Sequence, residues 1–489
     1  MTLSSKIARN IKATFISRAV TIGANGLLIV LLTRYLLDPG GYGLLSLALS
    51  TIAMAQLFAD LGVARSAARY VAEFKELDSS QIPHIIRSAL HYRILLIALV
   101  STGLFFGHEL VAAVLDEPGL EYLLLIGIGY LVFQSLMTFN LALFQGFNAI
   151  EYSAALSIVN NLCRIGFVVV FVILGFEVAG VLAGYAVSAA VATVIGLGIL
   201  YARFYRTYDS ANTPEPGLRR RIAEYSIPLT ASRSANVIDK RIDVLLIGYF
   251  LAPAAVGFYT LAKQLTEFIT APAGSVGFAL SPTYGEDKAN DRLERAARIY
   301  ETTVQYVLLL YIPAVVGLLL VAEPMVFHIF GEKYSRVVPV IQILSVFVLF
   351  QAITNVTTQA LDYLGRARYR AISKGVTSLA NFGLNIVLIP AFGVAGAAIA
   401  TVITYGMYTI ANVYIMYIEL PLHLGRLRRV ITGTVVVSAV MGGCVVVLTP
   451  HISGVLSLIG VVILGTVVWG LLMIASGLLD AKETISFLT

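Results

Sequence analysis

Cysteine is nearly absent from this sequence, which holds only Cys163 and Cys444 among 489 residues. Both lie in apolar stretches and are too few for a disulfide framework or a cysteine metal site, so we predict that they are core residues. Charged residues are also scarce, at 13%, whereas 58% of the residues are hydrophobic. This balance lies far outside the range of soluble globular domains and predicts an integral membrane protein.

Catalytic motifs are missing as well. The sequence contains no GxxxxGK[ST] phosphate loop, no HExxH and no GxSxG, and no connection is long enough for a catalytic domain. We therefore predict that the protein is not an enzyme and uses no cofactor or metal. The net charge of +6 comes largely from cations near the ends of apolar runs, which favours membrane topology and anionic headgroups over nucleic-acid binding.

Apolar runs of about 20 residues or more recur along nearly the whole chain. They predict an all-α integral membrane protein with about 14 transmembrane helices, located in the cell (cytoplasmic) membrane. Lys and Arg cluster before the first span and in the even-numbered connections, for example at Arg65, Arg203 and Lys288. The positive-inside rule therefore predicts that both termini are cytoplasmic. Arg93 and His91, near a cytoplasmic end, are predicted to snorkel toward the headgroups.

The chain also repeats itself. YLLDPGGYGLLSLA (35–48) matches YFLAPAAVGFYTLA (249–262) in register at a spacing of 214 residues, and FEVAGVLAG (176–184) matches FGVAGAAIA (392–400). A repeat of six spans predicts two pseudo-symmetric six-helix lobes around a central cleft, followed by two C-terminal helices. The predicted boundaries are 1–206 for the first lobe, 207–222 for a cytoplasmic linker, 223–420 for the second lobe, and 421–489 for the last two helices and the tail.

Polar side chains follow single faces of several predicted spans. In the seventh span, one face carries Arg233, Asn236, Asp239, Lys240 and Asp243, while Arg241 lies off it. Similar stripes contain Asn161 and Arg164, Lys263 and Glu267, and Lys374 and Asn381. The repeat places Arg18 and Asn25 at the positions of Arg233 and Lys240.

Ionisable groups inside a membrane are costly and usually line a cavity or an ion path. Cations outnumber acids on these stripes, which predicts an electropositive cleft for an anion such as a phosphate. The predicted substrate-binding residues are Arg18, Asn25, Arg164, Arg233, Lys240, Lys263 and Lys374. The acids Asp239, Asp243 and Glu267 are the candidates for proton or sodium coupling if transport is ion-driven. The alternative is that the polar groups only join helices and that the acids only neutralise neighbouring cations.

Several segments resemble a known group of membrane proteins. They are RYLLDPGGYGLLSLALS, FADLGVARSAARY, QGFNAIEYSAALSIVNNLCRIGF, IDVLLIGYFLAPAAVGFYTLAKQL and FGEKYSRVVPVIQILS. Together they make the chain similar to the Wzx-type polysaccharide transporters of the multidrug/oligosaccharidyl-lipid/polysaccharide exporter superfamily. Asp38 departs from the glycine that this family usually has before the proline.

The resemblance implies a V-shaped flippase that moves a lipid-(di)phosphate-linked oligosaccharide by alternating access, with membrane lipids and other glycan-assembly membrane proteins as partners. It also implies that cleft arginines contact the phosphates and that the last two helices form a groove for the lipid tail, although simple lipid-facing helices fit this pair equally well. Two alternatives remain. A MATE-like ion-coupled multidrug or cation exporter would have a more acidic cleft, and a membrane glycosyltransferase or polymerase would have a large external loop or external catalytic acids.

Overall fold

The computed structural model describes residues 3–478, apart from the side chains of residues 3–11, 219, 227–236, 424 and 426. Regular structure in this part of the chain is helical throughout, with fifteen α-helices. They are α1 (Leu3–Leu31), α2 (Pro39–Asp60), α3 (Val63–Leu77), α4 (Ile82–Val114), α5 (Gly119–Gly146), α6 (Ile150–Phe171), α7 (Glu177–Leu200), α8 (Leu218–Phe250), α9 (Pro253–Ala289), α10 (Leu293–Met325), α11 (Val338–Tyr363), α12 (Ala367–Phe392), α13 (Val394–Glu419), α14 (Leu424–Leu448) and α15 (Val455–Ala475).

Eleven stretches of the described chain are long and apolar enough to cross a membrane, and one of them, Ile150–Tyr205, contains both α6 and α7. This confirms the predicted all-α, multi-pass membrane class. The long helices α8 and α9 are not among the eleven stretches. They carry the charged stripes described above, and these charges lower the apolar character by which a span is recognised.

Helix α3 is a structural element that the sequence analysis treated as part of a connection. Its buried side chains, including Ala67, Val71 and Phe74, lie on one face, while Arg65 and Arg69 are exposed on the other. Gly62, at a φ of 72°, joins α2 to α3, and this left-handed conformation suits glycine because it has no Cβ. The cations of this segment therefore lie on an amphipathic helix.

The first of two compact units comprises Met1–Gly257. In this unit α5 packs against α7, α6 packs against α7 and α1, and α8 packs against α2, α3 and α4. A hydroxyl hydrogen bond from Ser66 to the carbonyl oxygen of Ile222 (2.9 Å) joins α3 to α8. The predicted boundaries at residues 206 and 223 stay a prediction, because these units are defined by packing rather than by internal symmetry.

Within the first unit, α2 and the first five residues of α9 approach each other at a pair of glycines. A Cβ atom at Gly43 would lie 1.7 Å from the carbonyl oxygen of Pro253, and one at Gly257 would lie 2.4 Å from the carbonyl oxygen of Pro39. Only glycine allows the backbones of α2 and α9 to come this close. Residues 39 and 43 correspond to 253 and 257 in the predicted repeat, so each copy supplies the same two groups to the contact.

The second unit comprises Phe258–Thr489. Within its described part, α10 packs against α11 and α14, α13 packs against α11 and α12, and α15 packs against α14. Pro272 and Pro313 lie inside the continuous helices α9 and α10. Beside Pro272, the Tyr311 hydroxyl accepts a hydrogen bond from the amide of Ala273 (3.2 Å) and donates one to the carbonyl of Ile269 (3.0 Å). A side chain of α10 is thus inserted between two groups of α9 that are four residues apart.

Candidate functional site

The first unit brings two of the predicted stripes together. Arg164 of α6 donates hydrogen bonds to the side-chain oxygens of Asn25 of α1 and of Asn161 (2.8 Å). Asn161 in turn donates to the Thr21 hydroxyl at 3.0 Å. The predicted residues Asn25 and Arg164 therefore form one polar network between α1 and α6. These amide oxygens accept from one nitrogen of the guanidinium without neutralising its charge, so the network keeps a fixed positive charge within an apolar span.

Aromatic rings complete the surroundings of this guanidinium. The Arg164 Cζ atom lies 5.1 Å from the ring centroid of Tyr185 on α7, which is within the range of a cation–π contact. The rings of Tyr185 and Tyr130 are 5.8 Å apart. These tyrosines, on α7 and α5, were missed in the sequence analysis, because contacts among α5, α6 and α7 have no local sequence signal.

Arg18 and Arg233 are the two predicted opening-helix arginines. Arg18 is exposed, and its guanidinium forms no hydrogen bond or ion pair with the part of the chain that the structure describes. It lies seven residues before Asn25, about two turns away on the same side of α1. The backbone of Arg233 lies in α8, but its side chain is outside the described residues.

Arg93 corrects one prediction. It was predicted to snorkel, but its side chain is only 1% exposed. Its guanidinium donates to the backbone oxygens of Ala59 (3.1 Å) and Ser135 (2.7 Å) and forms an ion pair with the Asp60 carboxylate. Arg93 therefore joins α4 to the end of α2 and to α5. The sequence analysis missed this pair because its two members are 33 residues apart on different helices.

A cavity of about 230 Å³ lies beside this pair within the first unit. Its charged lining residues are Asp60, Arg93, Lys240 and Arg241. Lys240 was predicted to bind substrate, whereas Arg241 was placed off the polar face of the seventh span. In the structure both residues line the same cavity, because α8 contacts α2 and α4 along this stretch.

The predicted cations of the second unit lie over tyrosine rings. The Lys263 Nζ atom is 5.3 Å from the ring centroid of Tyr259, whose hydroxyl is 2.9 Å from that of Thr401. The Lys374 Nζ atom is 4.7 Å from the ring centroid of Tyr405 and 5.0 Å from that of Tyr408. A ring face attracts an ammonium group, so these tyrosines stabilise the lysine side chains beside them.

The three coupling candidates have different surroundings. Asp243 is buried, with 2% of its side chain exposed, whereas Asp239 is half-buried and Glu267 is exposed. Each of the three makes at least one interaction in the structure. Asp243 is the most buried of the three acids, and burial makes an unneutralised carboxylate costly.

A second cavity, of about 910 Å³, lies in the second unit between α10, α14 and residues 476–478, which follow α15. Its lining includes the cations Arg428 and Arg429 and the apolar residues Val436 and Val437. This lining includes residues of α14 but none of α15 itself, so the predicted groove between the last two helices stays a prediction, as does what occupies it.

Comparison with known proteins gives two family matches. Residues 7–286 match the polysaccharide biosynthesis protein family, and residues 228–387 match the MatE family. The chain is 26% identical to the lipopolysaccharide biosynthesis protein WzxC of Escherichia coli, over 73% of this chain and 69% of that protein. It is 20% identical to the probable low-salt glycan biosynthesis flippase Agl15 of Haloferax volcanii, over 83% of both chains.

Solved structures show the same fold at low sequence identity. The lipid II flippase MurJ, in an inward closed conformation, superimposes with a TM-score of 0.74 over 95% of this chain and 98% of its own, at 15% identity. A multidrug resistance MATE family transporter of the MOP superfamily, in an inward-facing conformation, gives a TM-score of 0.66 over 82% and 93%, at 16% identity. These likenesses extend along most of the chain.

Proposed function

We propose, because the chain belongs to the polysaccharide biosynthesis protein family, that it moves a lipid-(di)phosphate-linked oligosaccharide across the cytoplasmic membrane by alternating access. The Wzx-type members of this family are flippases of the MOP superfamily. The family is one of transporters rather than enzymes, as the sequence analysis predicted. The observation that carries the proposal is the fixed positive charge of Arg164, which is held by amides and a tyrosine ring on membrane helices. Such a group suits a phosphate.

Reconstituted protein tests this proposal directly. Proteoliposomes with a fluorescent lipid-linked oligosaccharide in one leaflet are expected to expose the glycan to a lectin on the opposite side, whereas protein-free vesicles are not. The MatE match favours export of organic cations as the second candidate function. Counterflow of a cationic dye without glycan translocation would replace the first function with the second.

We also propose that the fourteen helices other than α3 each cross the membrane. Six of them would form each pseudo-symmetric lobe, with α14 and α15 following, and both termini would be cytoplasmic. The support is the internal repeat and the placement of Lys and Arg in alternate connections.

Cysteine labelling tests the orientation. In a Cys163→Ser/Cys444→Ser background, Ser210→Cys in the linker is expected to react with a membrane-impermeant maleimide only after the cells are broken. Asp116→Cys, in the acidic third connection, is the control and is expected to react in intact cells. Both side chains are exposed, so access is set by the membrane. The opposite labelling pattern would reverse the orientation.

Arg18 and Arg233 are proposed to bind the substrate's phosphates together. The support is their equivalence in the repeat and the exposed, unpaired guanidinium of Arg18 among the described residues. Replacing either with alanine is expected to weaken binding of the lipid-linked glycan by roughly ten- to a hundredfold, because a charge-assisted hydrogen bond contributes on the order of 1.5 to 3 kcal/mol. Lysine should restore binding only in part, since it lacks the planar fork of donors.

Lys12→Ala is the matched control, since Lys12 is another exposed cation on α1. Glycan binding, glycan export and the amount of protein in the membrane are measured for all variants. Normal export by both arginine variants at normal protein level would refute the pairing. A loss of protein would instead indicate a structural role.

Ion coupling is proposed for one of Asp239, Asp243 and Glu267. Asparagine at the aspartates and glutamine at Glu267 preserve shape and remove the charge, so the variant at the coupling residue is expected to lose ion-dependent transport while still binding glycan. Glu286→Gln, at the far end of α9, is the control. Transport is measured with and without a proton or sodium gradient, and full gradient dependence in all three variants would exclude the role.

A further inference from the structure

The predicted linker between the two copies of the repeat is tied to the first unit by its backbone. Residues 207–217 form neither helix nor strand. The Ala211 amide donates a hydrogen bond to the carbonyl of Ser80 (3.1 Å), and the Nε2 atom of His84 donates one to the carbonyl of Ala211 (2.8 Å). Both backbone groups of Ala211 are therefore held by the turn between α3 and α4 and by the first residues of α4.

Gln81 holds the next two alternate residues of this segment. Its side-chain nitrogen donates to the carbonyl of Thr213 (3.3 Å), and its side-chain oxygen accepts from the amide of Glu215 (2.9 Å). Glu215 lies between two prolines, which have no amide hydrogen, so Gln81 receives the one amide that this part of the segment can offer. Gln81 is only 7% exposed. One buried side chain thus satisfies a donor and an acceptor of the linker at the same time.

The linker leads directly into α8. Gly217, at a φ of 78°, ends the linker, and α8 begins at the next residue. Leu218 and Ile222, in the first turns of α8, are buried in the core of the first unit. The Glu215 carboxylate pairs with the guanidinium of Arg221 at 2.8 Å, which joins the linker to α8 through side chains as well. The linker therefore fixes where α8 starts and how its first turns are rotated.

This fixation matters for the charged stripe of the same helix. Helix α8 runs without interruption to Phe250, and Asp239, Lys240 and Asp243 lie about six turns after its start. The side chains of a continuous helix turn together, so the rotation of the first turns sets the direction in which the stripe points. A flexible tether in place of the linker would leave that direction undetermined.

We propose that residues 207–217 are a strap, that Gln81 fastens it, and that transport takes place with the strap closed. Gln81 acts through α8 and is a positioning residue rather than a ligand of the substrate. The fastening stands on the hydrogen bonds of the strap, whereas its importance for glycan export rests on the proposed function. The two parts are therefore tested separately.

Hydrogen exchange of the purified full-length protein tests the fastening. Gln81→Ala is expected to raise the exchange rate of the Glu215 amide by roughly ten- to a hundredfold, because two hydrogen bonds of the strap are lost. Gln81→Glu keeps the acceptor but not the donor, so its rate should lie between the two. The matched control is Arg87→Gln, which removes a hydrogen bond (2.9 Å) from α4 to the Tyr205 hydroxyl, outside the strap. Equal rates in Gln81→Ala and the wild type would overturn the proposal.

Cysteine labelling tests whether the strap positions α8. Ile238, on α8, is 41% exposed. In a Cys163→Ser/Cys444→Ser background, the rate at which Ile238→Cys reacts with a maleimide should change when Gln81→Ala is added and should stay the same when Arg87→Gln is added. The same rate in all three proteins would refute the positioning role, whether or not the protein moves glycans.

A reversible disulfide tests the role in export. Ser80→Cys/Ala211→Cys, in the same background, replaces a backbone contact of the strap by a bond that oxidation closes and a reductant opens. The closed protein should export glycan like the wild type. Gln81→Ala should lose most of its export, and the closed disulfide should restore it until reductant is added. A variant that had merely misfolded would not be restored.

The controls are the two single cysteine variants under the same oxidant. Loss of export when the disulfide closes in an otherwise unchanged protein would show that the strap must open, which contradicts the proposal. Normal export by Gln81→Ala would show that the fastening is not needed. If the wild type itself moves no glycan, the proposed function fails, and exchange and labelling still decide whether Gln81 fastens the strap and positions α8.

Discussion

Replacing Arg93 with methionine is expected to lower the free energy of unfolding by about 3 to 5 kcal/mol. The side chain is 1% exposed and makes bonds to Ala59, Asp60 and Ser135, so its loss takes the guanidinium away from a carboxylate and two carbonyls. A shielded charge without a partner costs far more than the hydrogen bonds contribute. The measurement is thermal unfolding in detergent, together with the amount of protein in the membrane.

Two further variants distinguish the buried pair from a general effect of charge. Adding Asp60→Leu to Arg93→Met should recover much of the loss, since no charge is then left unpaired. Arg220→Met, which breaks the exposed pair with Glu224, should leave stability nearly unchanged. An Arg93→Met protein as stable as the wild type would show that the pair does not hold α2, α4 and α5 together.

Introducing a side chain at the glycine contact is expected to have the second large effect. Gly43→Val and Gly257→Val should each destabilise the protein by at least about 1 to 3 kcal/mol and strongly reduce glycan export. The atoms that a Cβ would meet are backbone carbonyls at 1.7 and 2.4 Å, which cannot rotate aside as a flexible side chain does. The whole of α2 or α9 must therefore shift.

Gly166→Ala on α6 is the control, because an added Cβ there meets nothing within 4 Å. It should be neutral or stabilising by up to about 1 kcal/mol, since alanine favours a helix over glycine. Alanine at residues 43 and 257 gives a graded series with valine. If Gly43→Ala and Gly257→Ala export glycan as well as Gly166→Ala, the close approach of these helices is not needed for function.

The membrane class was predictable because it depends on composition and on runs of apolar residues, which are properties of the chain alone. Helix α3 was harder to predict. Arg65 and Arg69 alternate with its apolar residues, so the segment resembles a charged connection when the sequence is searched for membrane spans. Its apolar face is explained by the packing of α5, α4 and α8 against it. A run of apolar residues indicates where a helix crosses the membrane, but the buried face of an amphipathic helix depends on the helices that pack against it.

The candidate site was also predictable only in part. Asn25 and Arg164 were each selected for being polar within an apolar span, and the structure brings them into one hydrogen-bonded network. The prediction for Arg93 was wrong because it considered only the depth of the residue in the membrane. Its burial depends on Asp60, an acid that a different helix supplies. Arg241 was misjudged because its angular position on an ideal helix does not show which neighbours α8 has.

The insertion of Tyr311 has a mechanical consequence for α9. An unbroken helix of 37 residues resists bending along its whole length, like a uniform rod. Here the Tyr311 hydroxyl bonds to the carbonyl of Ile269 and the amide of Ala273, next to Pro272. The helix is therefore easier to bend at this point than elsewhere along its length. If α9 bends at this point, the displacement of each end for a given angle of bending grows with the number of residues between that end and Pro272.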